Sequence, residues 1–82
     1  MKVKELLEEL KKHPADMRVI VRGYEGGYND ISSLNKRYIA VDYNTNEYCG
    51  AHEYILESDM EKFKNTEIAL ELTGINHLIE RR

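Results

Sequence analysis

A single cysteine, a single proline, a single phenylalanine and no tryptophan leave this 82-residue chain with few of the devices that stiffen small proteins. With Cys49 alone, no intramolecular disulfide can close and no cysteine-rich zinc site can be assembled. One unpaired thiol suits a reducing cytoplasm better than an oxidising exterior, so a cytoplasmic location is expected. Aliphatic runs stop at three residues, as in Val19-Ile20-Val21, which leaves no stretch able to span a membrane as a helix. The opening MKVKELLEELKK places acids inside its apolar pattern and is not expected to act as a signal peptide. Charge of one sign is not concentrated either: 12 basic and 15 acidic residues give a net −3, spread along the chain. Binding through a nucleic-acid backbone calls for clustered Lys and Arg, so nucleic acid is not an expected partner.

What is present reads as one α+β domain over residues 1–82. Val3, Leu6, Leu7 and Leu10 fall at i, i+3, i+4 and i+7, one apolar stripe on a helix over 3–13. Glu8 and Lys12 are placed for an i,i+4 pair, and Pro14 ends the helix. MRVIVR at 17–22 predicts a strand with apolar groups on both faces, hence an interior one. DISSLNKRYIAVDY at 30–43 predicts a second strand, long enough that a bulge near Asn35-Lys36 is expected. AHEYIL at 51–56 is a weaker strand, and ESDMEKFKN at 57–65 a helical turn with Ser58 as cap. TEIALELT at 66–73 alternates apolar and acidic residues as a half-buried strand, with helix as the competing state because Ala, Leu and Glu all favour it. The tail from residue 75 is either a brief turn or a segment that docks on a neighbouring subunit. The expected architecture is therefore one N-terminal helix packed on an antiparallel meander of about four strands. At this length only roughly 60–65% of the unfolded surface is buried, so assembly into homo-oligomers is the expected route to further stability.

No catalytic template is satisfied: there is no G-x-S-x-G elbow, no H-E-x-x-H and no phosphate loop. GYEGGY has the wrong spacing for a dinucleotide fingerprint, and a strand rather than a helix is predicted after it. His13 beside the helix-ending proline and His77 in a charged tail have ordinary surface explanations. His52 and Tyr54 would share one strand face, yet a surface histidine explains His52 as well. Cys49 and His52 form half a zinc motif without its other half, so neither metal nor cofactor is expected.

The compositional oddity is tyrosine, six against one phenylalanine, all between residues 24 and 54. Tyrosine joins a large ring to a polar tip, which suits interfaces and ligand pockets as well as the cap of a thin sheet. The stretch RGYEGGYNDI at 22–31 places two such rings among three glycines. Aromatic faces beside a cation can stack a base and pair a phosphate. The candidate ligand-binding residues are Arg22, Tyr24, Glu25, Tyr28, Asn29 and Asp30, with His52 and Tyr54.

Residues 3–31, with an amphipathic helix, a Pro-x-Asp turn, a valine-rich strand and the GYEGGY loop leading into Asp-Ile, resemble small uncharacterised proteins of bacteriophages and bacteria. The resemblance implies a small cytoplasmic, phage-borne protein and brings no catalytic residues with it. It suggests the class of phage proteins that sequester nucleotide-derived signals of host defence: non-enzymatic, oligomeric, and binding a small nucleotide-like ligand. A module that blocks a host defence protein by direct contact is the alternative.

Overall fold

The computed structural model describes residues 1–75, so the tail expected to form a turn or to dock on a neighbouring subunit lies, past Ile75, outside the described residues. Its elements run helix α1 (Val3–Leu10), strands β1 (Ile20–Arg22), β2 (Tyr28–Asp30), β3 (Ser33–Ala40) and β4 (Glu53–Ile55), a 3₁₀ segment (Glu57–Lys62) and strand β5 (Thr66–Thr73). The α+β class is as expected, but the strands number five and form two sheets. β1 and β2 make an antiparallel hairpin, while β4, β3 and β5 make a three-stranded antiparallel sheet with β3 in the middle.

The extended region predicted over 30–43 is interrupted at Ile31-Ser32, where the chain passes from one sheet to the other. The turn replaces the bulge expected at Asn35-Lys36, because β3 pairs with β5 in unbroken register from Ser33↔Thr73 to Ala40↔Thr66. β1 covers only the second half of MRVIVR and has a single strand neighbour, so it is not interior; Ile20 remains exposed. The segment 66–73 is a strand over its whole predicted length. Its period-two pattern outweighs helix propensity because β3 supplies a partner along the entire segment. Leu56, not Ser58, precedes the 3₁₀ segment, and no side-chain cap is made there.

Register assigns the faces of the three-stranded sheet. Directly paired residues lie on the same face, and successive residues alternate. One face carries Leu34 with Leu72, Lys36 with Leu70, Tyr38 with Ile68 and Ile55, and Ala40 with Thr66 and Glu53. The other carries Asn35 with Glu71, Arg37 with Ala69, and Ile39 with Glu67 and Tyr54. A diagonal ion pair, Arg37 Nε to Glu71 Oε1 at 2.7 Å, holds the second face, which is polar. The 3₁₀ segment covers one end of the apolar face. There Ala40 and Ile55 are 1% and 5% exposed, the two buried apolar residues of the described chain. Tyr43 and Phe63 meet edge to face nearby, with ring centroids 5.2 Å apart.

Toward the other end the apolar face is open, with exposure from 39% at Leu72 to 58% at Leu34. The helix expected to cover it does not. α1 has no buried residue, and Val3, Leu7 and Leu10 are each about half exposed. Its local chemistry is nonetheless sound. Glu5 accepts the Lys2 backbone amide at 3.1 Å, and ion pairs form at i,i+3, Glu8–Lys11 and Glu9–Lys12, in place of the expected Glu8–Lys12 pair. The Cα radius of gyration, 15.3 Å, exceeds the roughly 12 Å of a close-packed domain this size, in keeping with elements that stand apart.

The two sheets are joined at one tight point. The Ser32 amide donates to the Thr73 carbonyl at 2.7 Å, and the Ser32 hydroxyl donates to the same oxygen at 2.9 Å. Beside them Gly74 lies against the hairpin: a Cβ there would come within 2.5 Å of Val21 Cγ2 and 2.9 Å of the Asp30 carbonyl. Gly74→Ala is expected to destabilise the fold by about 1–3 kcal/mol through overpacking. Gly50→Ala, whose Cβ meets nothing within 4 Å, is expected to stay within about 0.5 kcal/mol. Denaturant unfolding of the two variants side by side checks this.

Candidate functional site

The hairpin loop is built by its glycines. Gly23 donates its amide to the Gly27 carbonyl at 3.0 Å, which closes a five-residue connection between Arg22 and Tyr28. Glu25, Gly26 and Gly27 all have positive φ, at 59°, 128° and 66°, a conformation that glycine adopts without strain and that Glu25 adopts at some cost. Gly23 is required for space, since a Cβ there would sit 2.7 Å from the Gly26 carbonyl.

This geometry places Arg22 and Tyr28 directly across the hairpin, with the guanidinium carbon 5.9 Å from the Tyr28 ring centroid, at the outer limit of a cation–π contact. Tyr24 projects from the tip, 79% exposed. Asp30 lies at the base, 3.6 Å from Arg18 Nε, so its charge is answered within the hairpin. Asn29 pairs with Val21 in the register and is half-buried. Six of the eight candidate residues, Arg22, Tyr24, Glu25, Tyr28, Asn29 and Asp30, are therefore gathered on one hairpin. Alternation puts Arg22, Tyr28 and Asp30 on one face of the hairpin and Asn29, with Val21, on the other, toward Gly74. The loop itself projects outward and encloses nothing.

His52 and Tyr54 are elsewhere. β2 enters β3 at Ser33, while Tyr54 pairs with Ile39 near the far end of that strand, about 20 Å away at 3.3 Å per residue. His52 has a structural task there. Its Nδ1 accepts the Asp42 amide at 2.9 Å, which fixes the proton of the neutral ring on Nε2 and pins a residue held at a φ of 52°. Asn44 completes the same loop by donating Nδ2 to the Gly50 carbonyl and to Glu53 Oε1. His52 lies just outside β4, so the alternation expected to put it on the same face as Tyr54 does not reach it, and its ring is held by the Asp42 amide instead.

Beside Tyr54 lies a groove of about 290 Å³ bordered by Tyr43, Ile55, Asp59 and Phe63, open to solvent and at the lower bound of small-molecule sites. Sequence reasoning missed Phe63 here. The isolated aromatic within KFKN gave no periodic signal, and only the 3₁₀ turn brings it back to Tyr43. Among the described residues no three His, Cys, Asp or Glu side chains converge as metal ligands, and no helix is long and apolar enough to cross a membrane. Cys49 is exposed.

One tyrosine is chemically distinct. The charge of the Glu57 carboxylate, then partial burial and a hydrogen bond to Glu57, raise the Tyr38 hydroxyl above its ordinary pKa of 10.0. Because the folded value lies above the unfolded one, this contribution to stability is full below pH 10 and is lost as pH rises through the folded value. In an alkaline titration followed by phenolate absorbance, Glu57→Gln is expected to lower the pH at which Tyr38 ionises, as a difference from the wild-type curve.

No protein-family model, curated protein or solved structure matches this chain, so no residue role is carried onto it from another protein.

Proposed function

We propose that this chain is a non-enzymatic binding protein of the host cytoplasm that works as an assembly of copies and sequesters a small nucleotide-like ligand on the Gly23–Gly27 loop. The observation that carries this reading is the Arg22–Tyr28 pair with Tyr24 exposed beside it: one cation and two aromatic rings on a single glycine-opened turn. A base stacks on such a ring, and a phosphate pairs with such a guanidinium. Glu25 is on the same loop, and a carboxylate accepts hydrogen bonds of the kind ribose hydroxyls donate. An outward-facing loop needs a second wall, which another subunit supplies. The likeness of residues 3–31 to small phage proteins favours a nucleotide-derived signal of host defence as the ligand class.

A second reading is favoured by β5. Among the described residues its outer edge is unpaired over eight residues, a template on which a strand of a host protein can add.

The test is capture and release. The purified protein is incubated with an extract containing nucleotide signals, washed and heat-denatured, and the released material is identified by mass spectrometry. An intact nucleotide is expected. Tyr24→Ala and Arg22→Ala are each expected to weaken binding about tenfold or more, the loss of one stacked base or one charged contact, with unfolding midpoints unchanged. A chemically altered product would establish an enzyme instead. Release of nothing, with a retained host protein, would favour the edge-strand reading.

A further inference from the structure

The chain carries two uncovered apolar surfaces that fit one another. The first is the α1 stripe of Val3, Leu6, Leu7 and Leu10, in which no residue is buried. The second is the open end of the three-stranded sheet, formed by Leu34, Ile68, Leu70 and Leu72 on one face. An amphipathic helix and a one-sided sheet are the two halves of the layer packing that makes an α+β core. Their dimensions agree. From Val3 to Leu10 a helix advances about 10 Å, and from Ile68 to Leu72 a strand advances about 13 Å.

We propose that a second copy of this chain covers these surfaces, with α1 of each protomer seated on the Leu34–Ile68–Leu70–Leu72 face of its partner around a two-fold axis. Three observations favour a second copy as the occupant. α1 stands off its own sheet, which is the form a protomer takes when an element is exchanged between subunits. Helix stripe and sheet face are present once each per chain, so reciprocal exchange leaves neither uncovered and closes the assembly at two. With two buried apolar residues among those described, a monomer lacks the core that this contact would supply.

The proposal extends the oligomeric half of the functional reading by naming its surfaces, and it is measured without ligand, so its failure and that of ligand capture are read separately. Sedimentation equilibrium of the free protein is expected to give twice the 9.6 kDa chain mass. Leu7→Lys and Leu70→Lys are each expected to raise the dimer dissociation constant about tenfold or more. Because such variants can also unfold, a second chain carries Cys49→Ser, Leu7→Cys and Leu70→Cys and is oxidised. A covalent dimer on a non-reducing gel is the expected product. A cross-link at monomer mass would show the helix on its own sheet and overturn the proposal. A monomeric wild type, a dimer that does not cross-link through these positions, or a different protein in place of the second copy would overturn it as well.

Discussion

The fold depends on how one apolar sheet face is covered. Register puts Leu34, Tyr38, Ala40, Ile55, Ile68, Leu70 and Leu72 on the same side of three strands. The 3₁₀ segment shelters only the end nearest β4, and burial is complete only at Ala40 and Ile55. Hydrophobic stabilisation scales with apolar area removed from water, at about 25 cal/mol per Å². A face left half open therefore forgoes much of what its leucines can contribute. The remaining structure is held by ladder hydrogen bonds, by the Ser32–Thr73 junction and by exposed ion pairs, which add little on a solvated surface. The association proposed above would cover that face.

That constraint also links fold to function. Because the Gly23–Gly27 loop projects outward, a ligand held on Tyr24, Tyr28 and Arg22 has protein on one side only. If copies assemble as proposed, a neighbouring subunit would be the source of the second wall. The loop and the groove near Tyr43 and Phe63 lie toward opposite ends of β3, so they are separate surfaces rather than two walls of one site. His52, attractive in the sequence, is occupied by the Asp42 amide and serves the loop that returns β3 to β4.

Strong periodicity was legible in the sequence and weak periodicity was not. Ile68, Leu70 and Leu72 alternate cleanly, and the strand they imply is present over its full length. The α1 stripe was equally clear, but periodicity states only that a face is apolar, not which surface covers it. The break at Ile31-Ser32 was illegible because neither residue is a Gly or Pro; the partners found beside it, Thr73 and Gly74, are some forty residues away in the chain. The candidate site followed the same division. Residues within RGYEGGYNDI are neighbours in sequence and remain so in space. Joining His52 and Tyr54 to them required a long-range convergence that β3, an extended strand, instead prevents.

The central claim, that this chain completes its apolar core by association, is tested most directly by the dependence of thermal stability on protein concentration. Coupling of folding to assembly makes the midpoint rise as concentration rises, by mass action. That rise is expected in the absence of any ligand. A midpoint identical across a hundredfold or so of dilution, as a self-sufficient monomer gives, would contradict it.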